Sequence, residues 1–210
     1  MFLLGERWGF MSAKNYRPIK FLDRMEGNNH IVLLYDNPKY ADVVIARYLL
    51  NGLQKGESCI FFSPDEPKTI EERLSAKGID VDSYKQANSL RIYRTERSDA
   101  GKLDMLSTLR RIREESTKGM RPPYRFVGRT ITDTETKEGM TLGLAVEKSG
   151  HEHFEEFDCS QMCYYDISGI EQSRRDEWIR GLLKNHHHVI YASEPDKAVA
   201  FETMLLEDVE

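Results

Sequence analysis

Residues His30 to Pro67 read as strand, loop, helix and strand, and that succession limits the folds open to the chain. Ile31 to Leu34 form a continuous apolar run bounded by polar residues, the pattern of a strand buried on both faces. Asn37 offers a side-chain cap, and Pro38 suits the first position of a helix. Ala41, Val44, Ile45, Tyr48 and Gly52 follow at helical spacing, and Gly56 stands where a left-handed helix terminus is wanted. Cys59 to Phe62 supply a second apolar strand. Two strands joined through a helix of this length form a right-handed crossover in a parallel sheet, which places the chain in the α/β class.

The rest of the chain repeats the alternation. Thr69 to Lys77 reads as a helix ended by Gly78, Leu90 to Tyr93 as a third strand, and Leu103 to Lys118 as a helix with Leu106, Leu109 and Ile112 inward. Gly119, Pro122 and Pro123 stop that helix before a fourth strand, Tyr124 to Val127. Leu142, Val146, His153, Phe154 and Phe157 outline one face of a glycine-weakened helix between Met140 and Phe157. A fifth strand is predicted over Gln161 to Tyr165. Ser173 and Asp176 have capping-box spacing before a helix carrying Trp178, Ile179, Leu182 and Leu183. His188 to Tyr191 reads as a sixth strand and Lys197 to Leu206 as a final amphipathic helix. The expected architecture is a three-layer sandwich with a mainly parallel sheet, formed by residues 26–210 behind a loosely attached arm, residues 1–25.

With 210 residues, the length fits one generous domain. Phe2 to Leu4 is too short an apolar run for a spanning or secretory segment, so a cytoplasmic protein without membrane association is expected. Cys59, Cys159 and Cys163 are too few for a disulfide framework and read as reduced thiols. A formal charge of -5, with Lys and Arg spread evenly, argues against nucleic acid as a partner. Arg110, Arg111 and Arg113 read as a solvated helix face.

With the elements placed, five stretches in order, NHIVLLYDN, LLNGLQKGESCIFF, GIDVDSY, CYYD and NHHHVIY, carry a resemblance. From about Phe21 to Tyr191 the chain resembles the MEDS domain, the sensory domain of methanogen and methylotroph regulators of the DcmR type, associated with small hydrocarbon derivatives. MEDS domains in turn resemble RecA-like ATPases of the KaiC type. The resemblance implies a RecA/KaiC-like P-loop fold whose phosphate loop would fall at Tyr35 to Tyr40. That loop is YDNPKY, without the glycines and the Lys-Ser/Thr pair that cradle phosphates and seat magnesium. The fourth strand, RFVGRT, lacks the Asp that would help hold the metal. Asp65 and Glu66 stand where KaiC-type ATPases keep an acidic pair. Cys163, Tyr165 and Asp166 match the family's Cys-x-Tyr-Asp stretch, and His30 matches the histidine opening its first strand. At Arg129 the chain departs from the family, which commonly has an acidic residue there.

In an open parallel sheet, ligands bind beyond the carboxyl ends of the strands. That edge should collect Tyr35, Asp36, Ser63, Asp65, Arg129, Tyr165 and Asp166, with Glu66 beside Asp65. Tyr35, Phe62 and Tyr165 would wall a pocket, and Cys163, one alternation back from Tyr165, would lie deeper on the same face. Asp36 and Asp166 either pair with Arg129 or cap helices. His151, His153, Asp158, Cys159 and Cys163 tempt a metal reading. Their spacing is wrong for it, because positions i and i+2 fall on different sides of a helix and no C-x-x-C is present. His186 to His188 lead into the last strand. No metal, cofactor or catalytic set is expected: there is no G-x-S-x-G, and no cysteine has a histidine at a spacing that identifies a nucleophile and base.

These readings favour a non-catalytic sensory domain that binds a small organic molecule and signals in trans to a protein partner. Met204, Leu205 and Leu206 are candidates for a docking or homodimer face, or pack on the parent sheet. A degenerate KaiC-like ATPase that still binds nucleotide, and a ligand-free interaction module, remain the alternatives.

Overall fold

A computed structural model describes residues 17–95, 105–129, 136–170 and 172–203. Among the described residues, helices flank a single sheet of seven strands in the order β3-β2-β4-β5-β1-β6-β7. The strands are β1 (His30–Tyr35), β2 (Ser58–Ser63), β3 (Leu90–Arg94), β4 (Tyr124–Gly128), β5 (Cys159–Asp166), β6 (His188–Ala192) and β7 (Val199–Glu202). All pairings are parallel except that of β7 with β6. β1 lies between β5 and β6, and each of its six residues is buried, as its unbroken apolar run requires.

The helices are α1 (Pro18–Arg24), α2 (Pro38–Gln54), α3 (Pro67–Ser75), α4 (Val81–Gln86), α5 (Met105–Thr117), α6 (Lys137–Glu152) and α7 (Gln172–Lys184). Strand alternation divides the core in two. Ile31, Leu33, Phe61, Met162, Tyr164 and Ile190 meet α1, α2 and α3 on one face. Val32, Leu34, Cys163, Tyr165 and Val189 meet Met140 of α6 and Trp178 and Leu182 of α7 on the other. The α2 start is as the sequence predicts: the Asn37 side chain accepts from the Tyr40 amide at 3.2 Å, Pro38 opens the helix, and Gly56 beyond its end has a φ of 82°.

Four sequence expectations change. Residues 18–24 of the expected arm form α1, which buries Phe21 and Leu22 in the core; Arg47 and Asn51 of α2 both donate to Asp23. The predicted final helix is a strand where it is described. The amides of Lys197 and Ala198 turn back onto the Glu194 carbonyl, and Val199–Glu202 then pair antiparallel with β6. Alternation of buried Ala200 with Val199 and Phe201 suits this edge strand better than a helical stripe; residues 204–206 lie outside the described part. On α5 the buried residues are Arg113 and Ser116 rather than Ile112, which is 40% exposed. Arg113 holds its guanidinium 4.1 Å from the centre of the Phe157 ring and donates to the Gln161 Oε1 at 2.7 Å, so an arginine read as solvated fills an interior position. On α6, Leu142 is 38% exposed, while Met140, Gly143, Glu147 and Gly150 face inward. Those four recur at helical spacing, but two are glycine and one is charged, so hydrophobicity alone points to the wrong face.

A second buried polar group ties β4 to α2. Arg125, 2% exposed, makes a bidentate pair with Glu57 at 2.6 and 2.8 Å, donates to the Tyr48 carbonyl at 2.8 Å and lies over the Tyr48 ring. Gly52 admits it: a Cβ there would stand 2.6 Å from the Arg125 Nε. Among the described residues no helix is long and apolar enough to cross a membrane.

Candidate functional site

At the carboxyl edge the expected site residues are engaged with one another and with their neighbours. Asp36 accepts from the Tyr191 hydroxyl at 2.5 Å, and Asp166 accepts from the backbone and side chain of Ser168 in the turn that follows β5. Asp65 pairs with Arg73 and Glu66 with Arg94. Phe62 stacks between Tyr93 and Phe126 at ring distances of 5.5 and 6.3 Å. Arg129 lies 5.3 Å over the Tyr164 ring, while the Ser63 hydroxyl accepts from the Asp65 amide at 3.1 Å. Burial pushes the Tyr35 hydroxyl up, and Arg129 partly opposes it. Of the two readings of Asp36 and Asp166, pairing with Arg129 is not seen among the described residues; Arg129 lies against an aromatic ring instead.

Cys163 and Tyr165, from the same expected set, belong elsewhere. Both point from β5 to the α6–α7 face, where they meet His30, Glu147 and His186. Four elements build this cluster. His30 opens β1; its register partner is Gln161, so Cys163, two residues on and opposite Val32, rises beside it on the same face. Glu147 enters from the inward stripe of α6, with Gly143 and Gly150 a turn to either side. His186 follows α7, held by Nδ1 on the Leu182 carbonyl at 2.7 Å. The relevant atoms of His30, Glu147, Cys163 and His186 all lie within 4.8 Å of one another, and all four residues are buried.

Individual contacts are close but not crowded. The Cys163 Sγ lies 3.5 Å from the Glu147 Oε2 and 3.6 Å from the His30 Nε2. The same Glu147 oxygen is 3.7 Å from the His30 Nε2 and 3.6 Å from the His186 Nε2. The Tyr165 hydroxyl donates to the other Glu147 oxygen, and the Gln161 Nε2 approaches Cys163 at 3.1 Å. Phe154 stacks on His30 at 5.1 Å and closes the end of the group. Outward from it, the His30 Nδ1 lies 3.4 Å from the His151 Nδ1, and the His151 and His187 rings, both half-buried, are 4.9 Å apart.

Burial, reinforced by the neighbouring imidazoles, lowers the His30 pKa well below its ordinary value, and burial brings His186 down to about 3. Both rings are therefore neutral near neutral pH, and their contacts with Glu147 are not ion pairs. With Nδ1–H committed to Leu182, the His186 Nε2 presents a lone pair inward; it is buried and has no hydrogen-bond partner among the described residues. A carboxylate, a thiol and two neutral imidazoles converging in the core form a ligand set for a cation or a polarisable small molecule. An open cavity of about 300 Å³ on the α1 face, lined by Phe21, Met25, Asn29 and His188 among others, shares no residue with the cluster.

The helix-spacing argument considers the wrong companions. His153 turns to the Ser149 carbonyl, Asp158 accepts from Asn28, and Cys159 packs with Ile60 and Phe126, its thiol pushed up to about 11 by burial. Glu147 escapes the sequence reading, and His186 is singled out there only as part of the run that leads into the last strand. The available signals were a lone Glu between glycines on the inward stripe of α6, and a His four residues beyond the buried Leu182.

Comparison with known proteins places this geometry. Among solved structures, the KaiC-like protein of the hyperthermophilic archaeon Pyrococcus horikoshii is similar, with 13% identity and a TM-score of 0.59, covering 80% of this chain and 73% of that one. At that identity the likeness is one of fold, and it supports the RecA-like arrangement of the sheet. No curated protein sequence matches. The family described as the methanogen/methylotroph, DcmR sensory domain matches residues 29–187, a span that contains the whole cluster from His30 to His187. The chain therefore belongs to the MEDS family of sensory domains.

Proposed function

We propose that this chain is a sensory module that binds a small organic molecule at the cluster of His30, Glu147, Cys163, Tyr165 and His186, leaves it chemically unchanged, and reports occupancy in trans to a protein partner. The observation that carries this reading is the convergence of four of these polar side chains, His30, Glu147, Cys163 and His186, in the core, within 4.8 Å of one another, in a chain of a sensory family. The nucleotide end supports a non-catalytic role. In phosphate-binding loops the first helical amides face the phosphate; here the Asn37 side chain takes the Tyr40 amide and Pro38 has none to offer. Glu147 rides on α6, so a ligand that draws this carboxylate away shifts α6 against α7, where Gly181 lets the Leu144 side chain approach closely. The partner reads that shift. Three free, buried cysteines suit a reducing, cytoplasmic setting.

Thermal-shift screening of small alcohols, amines, acids and halocarbons tests the reading. A molecule that raises the Tm of the wild type and has little effect on Glu147→Gln or Tyr165→Phe is the expected result. Equal stabilisation of all three proteins would remove the site. ATP or GTP turnover that survives repurification would overturn the non-catalytic assignment.

A further inference from the structure

We infer that the cluster is a binding site for one divalent transition-metal ion of the zinc class, with His30 Nε2, Glu147 Oε2, Cys163 Sγ and His186 Nε2 as its four ligands. The inference deepens the sensory reading of the same site, the organic molecule of that reading reaching the metal by displacing the Glu147 carboxylate, and rests on that reading only for the use made of the metal. The geometry supports the metal independently. Zinc bonds nitrogen and carboxylate oxygen at about 2.0–2.2 Å and thiolate at about 2.3 Å, so the edges of its ligand tetrahedron measure about 3.3–3.6 Å. The recorded edges are 3.5 Å for Cys163–Glu147, 3.6 Å for Cys163–His30, 3.7 Å for His30–Glu147 and 3.6 Å for His186–Glu147. The remaining two lie within 4.8 Å. The two nitrogen–oxygen edges are longer than ordinary N–H···O hydrogen bonds, while the two sulfur edges also suit hydrogen bonds of the Cys163 thiol in the metal-free protein.

Each ligand also has the outer partner that metal ligands require. The Leu182 carbonyl fixes the His186 tautomer with Nε2 inward. The His151 Nδ1 faces the His30 Nδ1, Tyr165 orients the Glu147 carboxylate, and Gln161, itself held by Arg113, donates toward the Cys163 sulfur. The donor set is the mixed nitrogen, sulfur and oxygen one that zinc accepts, and calcium or magnesium would not take the thiolate. On binding, the Cys163 S–H bond breaks and its proton leaves to solvent, a metal–sulfur bond forms, and no oxidation state changes. Thiolate, carboxylate and a divalent ion sum to zero charge, which suits the buried site. The half-buried His151 and His187 mark the access path from solvent.

The test titrates metal-free full-length protein with Zn²⁺ and with Co²⁺, counts bound metal by mass spectrometry, and records the cobalt spectrum. One equivalent is expected, with the intense visible bands of tetrahedral cobalt and a near-ultraviolet thiolate-to-cobalt band. Cys163→Ser should lose the thiolate band, and His186→Gln should weaken binding by more than the roughly 10- to 100-fold typical of outer-shell changes. Tyr165→Phe should weaken it by about 10-fold, and His153→Ala not at all. Substoichiometric binding, or a wild-type spectrum lacking the thiolate band, would overturn the site without recourse to any variant. Binding that survives Cys163→Ser unchanged and disappears in His187→Ala would overturn it too, in favour of adventitious capture by the surface imidazoles. A metal that binds as described while no organic ligand produces a response ends the sensory reading alone; a ligand response in protein that takes up no metal ends the metal assignment alone.

Discussion

Two buried polar centres on opposite faces of the sheet are built on different principles. Around Arg125 every charge is answered within the chain: Glu57 takes two of its N–H groups, the Tyr48 carbonyl a third, and the Tyr48 ring covers the guanidinium. Around Glu147 the neighbours are a thiol, a phenol and two neutral imidazoles, and the His186 nitrogen points inward with nothing to bond. The first group is closed and structural. In the second, the His186 Nε2 is left without a hydrogen-bond partner among the described residues. Burial and polarity are alike in the two, and the first also leaves one such atom, the Tyr48 hydroxyl; the difference is that the first centre's buried charges pair with each other.

That contrast sets the predictions. Arg125→Met strands a largely buried Glu57 carboxylate and should lower the unfolding free energy by about 3–5 kcal/mol in urea titrations. A loss below about 1 kcal/mol would show that the centre is not holding α2 to β4. Gly52→Ala drives a methyl into the same guanidinium and should cost about 1–3 kcal/mol; loss of stability in this variant that is independent of Arg125, in a double-mutant cycle, would contradict the packing argument. Glu147→Gln in metal-free protein keeps an acceptor for Tyr165 and the volume of the side chain, so its stability should stay within about 1 kcal/mol of wild type. A penalty as large as that of Arg125→Met would make the second centre structural as well.

The smallest effect comes from a surface reference pair. Hydrogen bonding to Arg47 holds the Asp23 carboxyl below its ordinary value of 3.8, against a smaller opposing effect of burial. The native protein therefore binds fewer protons than the unfolded chain at that group. Its contribution is present above pH of about 3.8 and disappears as pH falls through the lower native value. Both side chains are over a third exposed, so screening keeps the pair at well under 1 kcal/mol. Asp23→Asn should narrow its small stability gap to wild type on acidification; a gap that widens would reverse the assignment.

The layout of the sheet was legible because β1, β2 and β5 are apolar on both faces and the turns carry Asn37, Pro38 and Gly56 in their expected roles. What escaped was decided by long-range pairing. Val199–Glu202 becomes a strand because β6 offers an edge to pair with, which four residues of sequence do not reveal. The cluster was half legible. Cys163 and Tyr165 share a face by strand alternation, and His30 matches a family position, but Glu147 and His186 join them only through the packing of α6 and α7 on β1 and β5. Metal spacing rules work within one element or one loop, and these ligands come from four.

The most direct measurement is an anomalous-scattering map, at the zinc absorption edge, from crystals of the full chain supplied with zinc. A single strong peak bonded to His30 Nε2, Glu147 Oε2, Cys163 Sγ and His186 Nε2, at about 2.0–2.3 Å from each, is the predicted result. A map whose zinc lies only at the outer His151 and His187, or one with no peak among the four side chains, would contradict the claim that this buried centre is built to be filled.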